Sequence, residues 1–294
     1  MDQATTLRNM VKERRESDVK KKARVITVTS GKGGVGKSNT SVNLALALSE
    51  LGQKVIIFDA DFGLANVEVM FGALPKYNLS DVIYRGKSIE EIITPGPNNI
   101  GFVSGGSGIV GLSNINRDQL AYLIHNLNSL DSLADFVIID TGAGISDQVL
   151  SFAMMSPEII MITTPEPSSL TDSYSLIKAL YRNPNFDRAN TTIRVLANKA
   201  STIEDGELVY QKLSSVVSKF LQGRLDYLGM IPLDTTIDKA IRQQKPVMML
   251  FPNCRASKAY KLVASDIVNG THLANNVKRG ISEIFSSFML NRRL

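Results

Sequence analysis

The chain has 294 residues, 44% hydrophobic and 21% charged, enough apolar material for one large α/β domain or two small ones. Its formal charge is +5, but residues 1–22 carry +3 of that, so bulk charge gives little reason to expect nucleic-acid binding. Cys254 is the single cysteine, and His125 and His272 lie far apart, which excludes an intrachain disulfide and any multi-cysteine metal or iron–sulfur site within one chain.

No stretch has the length of a transmembrane helix, and the N-terminus lacks the apolar core of a signal peptide. A reducing, cytoplasmic setting fits. Residues 1–22 form a polar leader with a weak helical stripe at Ala4, Leu7, Met10 and Val11. Too few apolar groups are present for it to fold alone, so a flexible leader is expected.

The next segment, Val25–Ser38, reads VITVTSGKGGVGKS. A β-branched run stops at Ser30, a glycine-rich loop follows, and Lys37-Ser38 opens a helical segment. This is the strand–loop–helix arrangement of a P-loop, G-x-x-x-x-G-K-[ST], with Gly31, Gly36, Lys37 and Ser38 in the fixed places. Its glycines let successive backbone N–H groups aim at phosphate oxygens, and the helix adds the positive end of its dipole. The nucleotide-binding segment is therefore Gly31, Lys32, Gly33, Gly34, Val35, Gly36, Lys37, Ser38 and Asn39. Lys37 should reach the β- and γ-phosphates, and the Ser38 hydroxyl should ligate Mg²⁺.

A helix through Asn43, Leu44, Ala45, Leu48 and Leu51 ends at Gly52. Lys54–Asp59 is a buried-type strand, followed by D-A-D-F-G-L-A-N from Asp59 to Asn66. Ligands of open α/β sheets sit at the carboxyl edge, so both acids should face the phosphates. Asp59 is a candidate for holding Mg²⁺, directly or through water, and Asp61 for orienting the attacking water. Residues 72–99 are rich in Gly and Pro and read as loop; Ile100–Ser104 is a short strand. Gly105–Gly111 is a flexible connector, and Arg117–Leu130 a helix.

Asp135–Gly144, DFVIIDTGAG, repeats the apolar strand ending in an acid, which makes Asp140 a second metal-site candidate. Glu158–Thr163 is a strand leading through Thr164–Ser169 into a helix to about Tyr181. Thr192–Asn198 and Arg224–Met230 are the last strands. Guanine-specific NTPases use N-K-x-D; here Asn198-Lys199-Ala200-Ser201 lacks the Asp, which favours ATP over GTP. Strands alternating with helices predict a mostly parallel sheet covered on both faces, in one α/β domain over 23–274.

In the tail, residues 275–294, Val277, Ile281, Ile284, Phe285, Phe288 and Met289 share one helical face, flanked by Lys278, Arg279, Arg292 and Arg293. A basic amphipathic helix of this kind either lies in a bilayer interface or docks on the core.

G-K-G-G-V-G-K-S, D-A-D-F-G-L-A-N and D-T-G-A-G in this order resemble the MinD/ParA class of deviant Walker A ATPases, and the D-T-G-A-G form is nearest its FlhG group. That resemblance implies an ATP-dependent homodimer in which Lys32 crosses to complete the other subunit's site and Asp61 serves hydrolysis. It also implies that Thr141–Gly144 is a γ-phosphate sensor and that Glu166 contacts nucleotide across the dimer. Asn198 would read the adenine edge, and the turn with Pro232, Leu233 and Asp234 would pack on the base. Asp2, Gln3, Ala4, Leu7 and Arg8 match the DQAxxLR motif that in the FlhG group activates the partner GTPase FlhF. Ile281, Ile284, Phe285, Phe288 and Met289 would form a membrane-targeting helix.

The reading is a slow, Mg²⁺-dependent ATPase switch that sets flagellar number or placement. Its partners would be FlhF, flagellar switch-ring proteins and lipid at the cytoplasmic face of the inner membrane. A MinD-type division-site protein, a ParA-type DNA-segregation ATPase and a non-hydrolysing nucleotide-dependent binding module are the alternatives. The leader, the low core charge and the presence of Asp61 with Lys37 weigh against them in turn.

Overall fold

The computed structural model describes residues 22–61, 66–106, 117–127 and 129–270. The leader motif and the amphipathic tail lie outside the described residues, as do residues 62–65 after Asp61 and most of the Gly105–Gly111 connector.

Eight strands form one sheet: β1 (Arg24–Ser30), β2 (Val55–Ala60), β3 (Thr94–Pro95), β4 (Gly101–Ser104), β5 (Phe136–Ala143), β6 (Glu158–Thr163), β7 (Thr192–Ala200) and β8 (Asp226–Pro232). Their spatial order is β3-β4-β2-β5-β1-β6-β7-β8, and every neighbouring pair is parallel except β3 with β4. The expected mostly parallel sheet is therefore present. Runs such as VIIFDA in β2 and EIIMIT in β6 are buried along their whole length, as strands covered on both faces must be.

The helix Lys37–Glu50 is buried almost all round, because the sheet covers one side and the helix Arg255–Asn269 covers another. Leu44, Leu46 and Leu48 join Tyr260 and Val263 in the core on that face. On the opposite face one cluster gathers Phe58, Leu79, Val82, Leu123 and Phe152; another gathers Leu176, Ile177, Leu213 and Val217. A fully buried aliphatic or aromatic side chain of this kind contributes about 1.5–3 kcal/mol.

Residues 72–99 depart from the loop expected of them. Leu79–Arg85 is a helix whose Asn78 and Asp81 form a reciprocal cap, and Gly86 ends it at φ 66°. Ile89–Ile92 follows with Ser88 and Glu91 in the same reciprocal arrangement. The Asn-x-x-Asp and Ser-x-x-Glu spacings carried that signal, and counting glycines and prolines obscured it. The Arg117 helix stops at Leu127, with a further turn at Leu130–Leu133. Strand β8 lies two residues later than its expected span.

At the amino edge of the sheet a charged cluster joins three strands to the last described helix. Arg24 donates to both Glu158 oxygens, at 2.8 and 3.0 Å. Buried Arg194 lies 3.6 Å from Glu158 and 3.3 Å from Asp266, and Arg24 also donates to the Ile267 carbonyl. The carboxyl edge carries the motifs.

Candidate functional site

Strand β1 ends at Ser30, where the chain must turn close beneath the helix Pro167–Arg182. Gly31 permits that approach: a Cβ there would fall 2.1 Å from the Asp172 backbone. At Gly36 the backbone takes φ 95°, and a Cβ would lie 2.4 Å from the Asn198 amide nitrogen. Gly31 and Gly36, the two glycines in the fixed places of the P-loop, are thus required by geometry as well as by turn preference. The helix starting at Lys37 then points its N-terminus into a cavity of about 500 Å³.

This cavity is lined by Gly33, Gly34, Gly36, Lys37, Ser38 and Asn39 from the loop and helix, Asp61 and Asn66 from the segment after β2, and Gly142, Ala143, Ser146, Gln148 and Val149 from the segment after β5. Three motifs far apart in the chain meet there because β1, β2 and β5 are neighbours that end at one edge. Asn66, Ser146, Gln148 and Val149 were not singled out from the sequence as site residues. Ser146 is legible in retrospect as the N-cap of the helix Asp147–Met155, accepting from Val149 N. Gln148 carries no sequence signal; it donates to the Ala60 carbonyl and so ties that helix to the end of β2.

Strand register places Asp59 directly beside Asp140, two carboxylates on one face of adjacent strands. Burial, then repulsion from Asp140, pushes Asp59 up to about 8, although it accepts N–H groups from Asp61 and Val67. Burial pushes Asp140 up to about 6, opposed by the Ser38 and Ser41 hydroxyls and the Lys37 ammonium. Its Oδ2 is buried without a hydrogen-bond partner. Two adjacent hard oxygen ligands, one of them unsatisfied, beside a P-loop serine fit a hydrated divalent cation such as Mg²⁺. Ser38, Asp59 and Asp140 are the residues that would hold it.

Asp61 is only half-buried. Its Oδ2 accepts from Asn66 Nδ2 at 3.3 Å, and its Oδ1 faces Gly142 across the cavity mouth. That position, opposite the P-loop, suits a carboxylate that orients water rather than one that binds phosphate directly.

Other expected site residues stand outside the cavity lining. Lys32 turns away along the rim, its Nζ 2.7 Å from both Glu166 Oε2 and Ser168 Oγ. The ion pair holds the exposed Glu166 carboxyl below its ordinary range. The two side chains expected to cross between subunits are thus joined to each other within one chain. Val35 is buried, and its carbonyl accepts from the Asn198 amide at 2.7 Å, so the amide donor is engaged by the P-loop itself. At the end of β8, Pro232 is buried and Leu233 is exposed, and Asp234 caps the next helix by accepting from Thr236 N at 3.0 Å while also accepting from Ala256 N, in the helix Arg255–Asn269, at 3.2 Å.

A family model described as ParA: NUBPL iron-transfer P-loop NTPase matches residues 21–268. The chain belongs to the ParA/MinD family of P-loop NTPases. It is 41% identical to the antiactivator FleN of Pseudomonas aeruginosa over 89% of this chain and 91% of that one. It is 32% identical to the flagellum site-determining protein YlxH of Helicobacter pylori, covering 92% of each. Pyrococcus horikoshii MinD complexed with Mg-ADP shares the fold, with a TM-score of 0.66 at 24% identity over 87% of this chain and all of that one. The cell division ATPase MinD of Pyrococcus furiosus has a TM-score of 0.65 at 25% identity, covering 84% of this chain and 99% of that one. Members of the family are ATPases, and so is this chain. Among the described residues no helix is long and apolar enough to cross a membrane.

Proposed function

We propose that this ParA/MinD-family ATPase is a dimerising switch that regulates the number or placement of flagella. The observation that carries the switch is Lys32: a loop lysine held on the rim by Glu166 and Ser168, with its side chain 34% exposed, rather than directed into its own cavity. A lysine in that position can exchange its partners within the chain for phosphate oxygens of a facing subunit. The similarity to FleN and YlxH supports the flagellar assignment.

In this reading the P-loop N–H groups and Lys37 bind the β- and γ-phosphates of ATP, and the partner subunit's Lys32 adds a second cation. Asp61, steadied by Asn66, orients the water that attacks the γ-phosphorus in line, and the leaving group is the β-phosphate oxygen of ADP. Mg²⁺, when bound near Ser38, Asp59 and Asp140, supplies charge neutralisation across the phosphates. Turnover is slow until the dimer forms, because the site is incomplete in one chain. Dimerisation pairs two tails, residues 275–294, and two weak anchors together hold the membrane by avidity. The leader, residues 1–22, activates a partner GTPase. A division-site role of the MinD kind shares the core and the tail; the leader separates the two readings.

Light scattering of the full chain with ATP tests the switch. Lys32→Ala should retain ATP binding and stay monomeric; an unchanged dimer overturns the exchange of partners. GTP turnover by the partner flagellar GTPase tests the client. Stimulation by the full chain that is lost on deleting residues 1–22 supports the flagellar role, and no stimulation from either form removes it.

A further inference from the structure

The P-loop is built to point its N–H groups inward at phosphate, which turns its carbonyls outward. Two successive carbonyls, those of Gly34 and Val35, are each met by a donor from the end of β7. Asn198 Nδ2 lies 2.7 Å from the Val35 oxygen, and Lys199 Nζ lies 3.0 Å from the Gly34 oxygen. The two donors are themselves linked, since Lys199 N donates to Asn198 Oδ1 at 3.0 Å.

The backbone at this point is unusual. Lys199 has φ 58° and, among the described residues, is the one non-glycine residue inside a strand with a left-handed backbone. The pairing of β7 with β8 shifts register between Asn198 and Ala200, so the strand bulges there. Left-handed backbone costs an ordinary L-residue energy that glycine and, in part, asparagine avoid. A lysine in this place is therefore offset by what its side chain does. That side chain is exposed, so burial does not explain it.

We infer that Lys199 is a positioning residue for nucleotide binding: its ammonium fixes the Gly34 carbonyl and, with Asn198, locks the P-loop in the conformation that presents its N–H groups to phosphate. A cation on the carbonyl also polarises the peptide whose N–H side faces the ligand, strengthening that donor. Neither effect requires Lys199 to touch ATP. Sequence alone ranks this lysine as half of a guanine motif that lacks its Asp; the structure gives it a separate task. The inference rests on the reading of this loop as the ATP site.

The test is the affinity of the full chain for a fluorescent ATP analogue with Mg²⁺, together with the melting temperature of each variant. Lys199→Met keeps the aliphatic stem and loses the donor; Lys199→Gly relieves the left-handed strain and loses the donor; Lys199→Arg keeps a donor. The Met and Gly variants should each bind about tenfold more weakly, the scale of one charge-assisted hydrogen bond after solvent screening. The Gly variant should melt no lower than the parent. The Arg variant should recover most of the affinity, and in steady-state turnover the losses should appear in KM. Parental affinity in the Gly or Met variant overturns the inference, as does an Arg variant as weak as Met. Lys37→Ala serves as control: if it still binds, the site reading itself falls and this inference with it, whereas loss of binding in Lys37→Ala alone refutes only the role of Lys199.

Discussion

At the amino edge of the sheet Glu158 is bracketed by Arg24 and Arg194, whereas at the carboxyl edge Asp59 stands directly beside Asp140 on the neighbouring strand. Both edges bury charge. At the first, opposite charges meet with a bidentate guanidinium–carboxylate contact, and the cluster fastens β1, β6 and β7 to the helix Arg255–Asn269. At the second, like charges meet, and both acids are driven towards their protonated forms. Neutralised charge serves the fold. Unneutralised charge marks the place where a ligand's charge is wanted.

That contrast can be broken most sharply at the amino edge. Glu158→Ala leaves two guanidinium groups facing each other, one of them buried at 2% exposure. Stripping one partner from a buried ion cluster costs about 3–5 kcal/mol, so the melting temperature should drop by many degrees in a thermal scan. A small loss would mean that solvent reaches Arg194 and that the cluster is not a structural tie.

At the carboxyl edge the same kind of change should act in the opposite direction. A raised native pKa means that the native protein binds a proton that the unfolded chain releases between about pH 4 and 8. The stability this gives is fully present below the unfolded pKa of Asp59 and is lost as pH rises towards 8. The nucleotide-free chain should therefore melt at lower temperature at pH 8 than at pH 6. Asp59→Asn should flatten that slope and raise the melting temperature at pH 8, while Mg²⁺-dependent ATP turnover falls by two orders of magnitude or more (order of magnitude). A steep slope retained in Asp59→Asn would assign the pH dependence to another group.

The smallest effect is expected at the rim. The Lys32–Glu166 pair is exposed, and such pairs contribute little to stability because water competes and salt screens them. Glu166→Ala should leave the melting temperature of the nucleotide-free chain where it is. A clear drop would make the rim contact part of the fold rather than a reversible partner for Lys32.

Much of this organisation was legible in the residues, unevenly. The P-loop was readable because its chemistry is local: glycines, a lysine and a serine at fixed spacing act through their own backbone. Asp59 and Asp140 were readable as strand-end acids, since an apolar β-branched run followed by Asp is a one-dimensional pattern. The paired caps at Asn78–Asp81 and Ser88–Glu91 were equally local, and were hidden by reading Gly and Pro content ahead of capping spacing. Asn66 and Gln148 were not readable as cavity residues, because their places depend on how separate loops meet.

The sequence by itself determined the parallel sheet, the order of its long strands, the glycine-rich loop after β1 and the acids at the ends of β2 and β5. Each of these follows from short-range periodicity and from backbone preferences acting over a few residues. Only the tertiary structure decided that Asp59 stands beside Asp140, that Lys32 rests on Glu166, and that Asn198 and Lys199 hold the outer carbonyls of the P-loop. Those contacts join residues dozens to more than a hundred positions apart. They exist because the strand order, which no local pattern encodes, brings the carboxyl ends of β2, β5, β1, β6 and β7 to one edge.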